Sequence, residues 1–254
     1  MKIRRQANKY KYFKGSRSEA LQDSFVLNVL AGKKKGYYLE IGSGHPFIGN
    51  NTILLENSFD WQGISIDYDP NSVDLFNQSR KNTCVLADAT KFDYRGCLKL
   101  HNFPHTIDYL QLDIDPAANT LIALKQIPFD EYKFVAITFE HDLYLNSENL
   151  AVKTEATEIL TKFGYVRVVN DVMVIPNVVG HNGGRWAPFE DWWIHKDFLG
   201  IPQQVFNEQP FTSIFEIPPT LKINLFLHRF KLRIRLLKNF PLKKLRELVK
   251  FLVK

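Results

Sequence analysis

Little in this 254-residue chain favours an extracellular or membrane-spanning protein. It has two cysteines, Cys84 and Cys97, too few and too close in sequence for the disulfide framework of a secreted domain, which points to a reducing, cytoplasmic setting. No apolar run approaches the roughly 20 residues a membrane-spanning helix needs. No apolar stretch of seven or more follows the basic N-terminus, so no signal peptide is expected. One absence is more specific. The strand-like run Tyr37-Tyr38-Leu39-Glu40-Ile41 breaks into Gly42-Ser43-Gly44, but the third glycine of a dinucleotide loop is replaced by Phe47, behind His45 and Pro46. Without that glycine the pyrophosphate cradle on a helix N-terminus is lost.

The net charge of +6 conceals an uneven distribution. Residues 1–17 hold seven Lys or Arg and no acid, and residues 219–254 hold eleven against the single acid Glu247. The intervening body carries 15 basic and 26 acidic residues. The basic pI therefore belongs to the ends, and a nucleic-acid-binding core is not indicated.

What is present is a βα rhythm. Strand-like runs at 63–67, 84–88, 107–113 and 134–140 follow the first glycine loop, with helix-compatible stretches around 50–58, 71–80, 117–127 and 149–163. Alternation at this spacing predicts a Rossmann-like, three-layer α/β/α domain with a mostly parallel sheet. Gly164 marks the end of the last helix. Tyr165–Val169, Asn170-Asp171 and Val172–Ile175 predict a closing antiparallel hairpin, the seven-stranded pattern of class I methyltransferases. Residues 176–218, rich in Pro, Gly, Asn and aromatics, are expected as ordered loops over the site. The organisation predicted is a basic segment and first helix at 1–36, the main domain at 37–218 and a basic extension at 219–254. That extension has an amphipathic helix at 242–253 and an ambiguous stretch at 222–240.

Ligands of such sheets bind beyond the carboxyl ends of the strands, and here nearly every strand ends in an acid: Glu40, Asp67, Asp88, Asp113 and Glu140. Each singly is equally a solvated loop acid or a helix N-cap; together with the glycine loop they indicate an adenosine ligand lacking phosphates. Glu40 suits a cationic group, Asp67 the ribose hydroxyls, and Asp88 with the Ala89 backbone an adenine amino group. S-adenosylmethionine meets these conditions. The expected cofactor-binding residues are Glu40, Gly42, Ser43, Gly44, Asn51, Thr52, Asp67, Asp88, Ala89 and Asp113.

Several stretches carry a more particular likeness. Tyr38–Gly42, Asn51-Thr52-Ile53-Leu54-Leu55-Glu56, Trp61–Ile64 and Ile107–Asp115 resemble the FkbM-like S-adenosylmethionine-dependent methyltransferases, as do Gln22–Leu27 and Pro188–Trp193. The resemblance spans roughly residues 18–195 and departs from the pattern at His45-Pro46. It implies the class I fold and methyl transfer, usually to a hydroxyl of a sugar or natural-product acceptor.

Methyl transfer requires an aligned acceptor and removal of its proton. Asp113, Glu140 and His141 are the candidate catalytic residues. Asp113, Asp115 and Glu140 form a candidate Mg²⁺ set that would acidify a hydroxyl, against a plainer reading in which Asp113 orders its loop and Asp115 caps the next helix. His181, Arg185, Trp186, Glu190 and Asp191 are candidates for the acceptor site, in an aromatic stretch with Phe189, Trp192 and Trp193 that also suits a core edge. The basic tail suits an anionic membrane surface, which would place the protein peripherally at an inner membrane face; a solvated extension and a nucleic-acid or protein partner are the other readings. A nucleic-acid methyltransferase is less favoured. Asp115-Pro116-Ala117-Ala118 lacks the second proline and the aromatic of the amino-methyltransferase motif, and no lysine flanks Asp113 or Glu140. A non-catalytic module anchored by its tails is the third reading.

Overall fold

The computed structural model describes residue 13, residues 15–174 and residues 187–199. The expected helix at 242–253, the stretch at 222–240 and the candidates His181, Arg185 and Trp186 lie outside the described residues.

Seven strands form one sheet: β1 (Tyr37–Ile41), β2 (Gln62–Asp67), β3 (Thr83–Leu86), β4 (Thr106–Leu112), β5 (Lys133–Glu140), β6 (Tyr165–Val174) and β7 (Ala187–His195). Their order is β3-β2-β1-β4-β5-β7-β6. The first five run parallel, and β7 is antiparallel to both β5 and β6. This is the class I methyltransferase topology that the βα rhythm predicts. The helices are α1 (Gln22–Val29), α2 (Ile53–Phe59), α3 (Pro70–Ser79), α4 (Tyr94–Leu100), α5 (Ala117–Gln126) and α6 (Asn149–Lys162). Helix α4 was not expected; Asp93 caps it by accepting from the Gly96 amide at 2.9 Å. Among the described residues no helix is long and apolar enough to cross a membrane.

Because side chains alternate along a strand, the sheet has two unlike faces. Leu39, Ile41, Ile64, Ile66, Leu110, Leu112, Ile137 and Phe139 form an apolar face packed with residues of α4, α5 and α6. The register places Ser65, Glu40, Gln111, Thr138 and Trp192 side by side on the opposite face. All five are buried. A polar row inside a protein persists only where its groups find hydrogen-bond partners, and these do. Ser65 donates to Glu40 at 2.5 Å, the Ile41 amide to Gln111 at 3.2 Å and the Trp192 indole to Glu190 at 2.6 Å. The Tyr109 and Thr138 hydroxyls lie 2.8 Å apart. Phe25 of α1 stacks on Trp192, ring centroids 4.4 Å apart, covering part of this face.

The hairpin forms with a different partner and turn from those expected. Tyr165–Val174 is one strand, and its antiparallel partner is β7, in the region expected to be loop. Asn170-Asp171 is a bulge, with Asp171 at φ +59° and a register shift between Val169 and Val172. A two-residue hairpin turn and a bulge both draw on residues that tolerate left-handed backbone, so local chemistry does not separate them. The Asp171 amide donating to Asp191 of β7 at 2.8 Å fixes the bulge.

The loop between β1 and α2 depends on Arg80, just past α3. Its side chain is fully buried, and the guanidinium donates to Glu56 (3.1 Å), the Pro46 carbonyl (2.9 Å), Asn50 (3.1 Å) and Thr52 (3.2 Å). Phe76 lies beneath it, 4.4 Å from the ring centroid. Glu56 also accepts from the Lys81 amide at 2.9 Å. Removing one partner of a buried, bonded ion pair costs about 3–5 kcal/mol. Arg80→Leu is therefore expected to lower unfolding free energy in urea by about that amount, and Arg80→Lys to recover little of it, because an ammonium cannot span four acceptors in a plane.

Candidate functional site

A cavity of about 660 Å³ opens at the carboxyl ends of β1, β2 and β4. Its floor is the turn after β1. Gly42 has φ +83°, and a Cβ there would lie 1.7 Å from the Asp113 carbonyl oxygen, so only glycine fits. Gly44, at φ +53°, has open space around it. Asp67 at the tip of β2 holds this turn in place. One of its carboxylate oxygens accepts from the Gly44 amide at 2.7 Å and the Ser43 hydroxyl at 3.4 Å, and the other from the Asp69 amide at 2.9 Å.

Nine of the ten expected cofactor-binding residues line this cavity, Thr52 being the exception. Thr52 stands behind the wall, fully buried, donating to Glu40 at 3.0 Å and accepting from Arg80. Asp88 caps a 3₁₀ turn by accepting from the Thr90 amide (2.9 Å) and hydroxyl (2.6 Å). Those bonds, with the Lys91 ion pair, hold its carboxyl down at about 2. Glu40 is 1% exposed and accepts from Ser65, Thr52 and Asn50. Burial raises its carboxyl to about 7, although Arg80 and the three donors oppose the shift.

Among the described residues the cavity walls carry seven carboxyl groups, from Glu19, Glu40, Asp67, Asp69, Asp88, Asp113 and Asp115, and no lysine or arginine. Sequence reasoning missed Glu19, Asp69 and Arg80. Asp69 caps α3 through the Ser72 amide at 3.2 Å, and an N-cap aspartate before Pro70 is a readable signal. Glu19 is brought in by the segment before α1, where Ser18 bridges Gly49. Nothing local foretells that, or the placement of Arg80.

At the β4–β5 end, Asp113 hydrogen-bonds Glu140, and Glu140 hydrogen-bonds Asp142. Burial and the adjacent carboxylates push Glu140 well above its ordinary value, and burial moves Asp113 up to about 6. The catalytic candidate His141 is fully buried beside this group and is not part of the cavity wall. Its Nδ1 accepts from the Leu143 amide at 3.3 Å, and its Nε2 lies 3.6 Å from Asp191 and 3.7 Å from Asp171. Asp115 is exposed and makes no capping bond to α5; Thr120 closes that loop instead, bonding both the amide and the carbonyl of Ile114.

The acceptor candidates Glu190 and Asp191 are buried in β7. Glu190 accepts from Trp192; Asp191 takes Arg167 at 3.1 Å and Lys153 at 3.4 Å. Phe189, Trp192 and Trp193 are likewise buried, in a strand paired on both sides by β5 and β6, so these aromatics belong to the core. For a metal, the one set of three His, Cys, Asp or Glu donors converging within 4.8 Å among the described residues is His141, Asp171 and Asp191. Lys153 already pairs with both aspartates there. Asp113, Asp115 and Glu140 do not converge in this way.

No protein-family model and no curated protein matches the chain. Solved structures do match at the level of fold. A TehB-like SAM-dependent methyltransferase from Corynebacterium glutamicum is 13% identical, over 77% of this chain and 95% of its own, with a TM-score of 0.41. The N-methyltransferase NodS from Bradyrhizobium japonicum is 11% identical over 68% and 94%, with a TM-score of 0.45. A precorrin-6y C5,15-methyltransferase from Geobacter metallireducens is 14% identical over 74% and 94%, with a TM-score of 0.46.

The raised Glu40 carboxyl has a consequence for stability. A folded-state value of about 7 against 4.5 means the folded protein retains a proton that the unfolded chain releases. Its contribution is therefore full below pH 4.5 and is lost as pH rises toward 7. Glu40→Gln is expected to flatten that part of the urea-stability profile; an unchanged slope would place the titration elsewhere.

Proposed function

We propose that the protein is an S-adenosylmethionine-dependent O-methyltransferase acting on a hydroxyl of a glycan or small natural-product-like acceptor. The observation that carries the reading is the set of seven carboxyls on the cavity wall, with no lysine or arginine among the described residues that line it. Such a wall repels the phosphates of a dinucleotide or nucleoside triphosphate and attracts a ligand bearing sulfonium and ammonium charges. The missing third glycine points the same way, because the turn offers no pyrophosphate cradle.

Bound S-adenosylmethionine would supply a sulfonium-activated methyl group. The chain's own residues supply the rest. Asp67, at the tip of β2, would accept from the ribose hydroxyls beside the turn donors it already holds. Ala89 and Asp88, which line the cavity, would meet the adenine edge. Gly42 and Gly44 bring backbone close to the methionine end, where the buried Asn51 Oδ1 has no partner and suits an ammonium donor. Asp113 is the proposed base: ionised above about pH 6, it accepts the acceptor's hydroxyl proton during transfer. Magnesium is not needed for this route, and undiminished transfer in EDTA would agree with that.

Two outcomes test the reading. Calorimetry should detect S-adenosylhomocysteine, and Asp67→Ala should weaken it about ten- to hundredfold, the worth of a charge-assisted hydrogen bond. Binding of ATP or NAD in its place would overturn the assignment. With a turnover assay in hand, kcat/KM should rise tenfold per pH unit below about 6 and level off above it. Asp113→Asn should abolish that limb and reduce the rate about 10²–10⁴-fold.

A further inference from the structure

The proposed donor carries one group that an anionic wall repels, its own methionine carboxylate. A carboxylate taken from water into a cavity needs a hydrogen-bond donor there. Most polar side chains of the wall are already committed. Ser43 donates to Asp67, Ser72 to Asp69 and Thr90 to Asp88. The Asn50 amide donates to Glu40 and to the Ser43 carbonyl, and the Asn119 amide to the Asp115 carbonyl. Tyr68 follows Asp67 at the adenosine end, Gln111 lies in the buried polar row, and the Asn51 oxygen is assigned to the ammonium. Among the described residues that line the cavity, the remaining donor and the single basic side chain is His45.

His45 is held in place from both sides. Before it, the Gly44 amide donates to Asp67 at 2.7 Å. After it, Pro46 is buried and its carbonyl accepts from Arg80 at 2.9 Å. The histidine between these anchors is exposed, next to Gly44 on the side assigned to the methionine. Its Nδ1 accepts from the Phe47 amide at 3.1 Å. With Nδ1 accepting, the neutral ring carries its hydrogen on Nε2, the nitrogen farther from its own backbone. The loop therefore presents a pre-oriented N–H at the cavity wall.

We infer that His45 donates this Nε2–H to the methionine carboxylate, and that the contact makes the site select the carboxylated donor over its decarboxylated form. This inference rests on the methyltransferase reading. The rest of the wall favours the other ligand. Without its carboxylate the donor would gain a unit of net positive charge, so the acids alone would hold the decarboxylated form more tightly. A hydrogen bond that only the carboxylate can accept reverses that order.

The test is calorimetry on the full chain with two ligands, S-adenosylhomocysteine and its decarboxylated counterpart, the same thioether ending in an aminopropyl chain. The wild type is expected to bind S-adenosylhomocysteine about tenfold or more tighter. His45→Ala should weaken S-adenosylhomocysteine about tenfold and leave the decarboxylated compound within about twofold, which also shows the site intact. His45→Gln, whose amide nitrogen stands near the position of Nε2, should recover part of the loss. Unchanged S-adenosylhomocysteine affinity in His45→Ala, equal loss of both ligands, or a wild-type preference for the decarboxylated compound would overturn the inference and leave the adenosine assignment standing. Binding of neither ligand by the wild type would overturn both.

Discussion

A guanidinium sealed from water holds the cavity together. Arg80 ties the end of α3 to α2 through Glu56 and to the β1–α2 loop through Pro46, Asn50 and Thr52. Asn50 and Thr52 in turn bond Glu40. Arg80 is therefore the cation that lets an acid sit inside the sheet beneath the cavity floor. It does so from behind the wall, so its charge stabilises the loop without lining the ligand space. That separation leaves the site strongly anionic while the loop around Gly42 and Gly44 keeps its shape.

The same division runs across the sheet. Its apolar face meets α4, α5 and α6 in ordinary core packing, and its other face is a buried polar row ending in the carboxyl cluster of Asp113, Glu140 and Asp142. In such a cluster burial and mutual repulsion favour the protonated forms. Burial and the neighbouring Asp113 and Asp142 carboxylates push Glu140 well above its ordinary value. The raised carboxyls of Glu140 and Asp113 both follow from burial at the tips of adjacent parallel strands.

Much of this was legible in the chain. The parallel strands, the acids at their ends and the requirement for glycine at position 42 appear as short-range patterns, because strand alternation and left-handed turns are local properties. The polar row was legible in principle too, since Tyr38/Glu40, Tyr109/Gln111/Asp113 and Thr138/Glu140 alternate with apolar neighbours. In a doubly wound sheet, where both faces are covered, that alternation is informative. The bulge at Asp171 could not be told from a turn, and β7 could not be told from a loop edge, because both depend on which distant strand offers a partner.

By itself, then, the sequence determined the order of elements, the broken phosphate loop and the acids that fringe the strands, all consequences of neighbouring residues. Tertiary structure decided which acids share a cavity, that Glu19 joins them from outside the sheet, that Arg80 supports the wall unseen, and that Glu190 and Asp191 are buried inside. It also separated Glu140 from His141, turning one toward the carboxyl cluster and the other toward Asp171 and Asp191. Adjacent residues of an extended strand point to opposite sides, and only the packed layers on each side say which is the site.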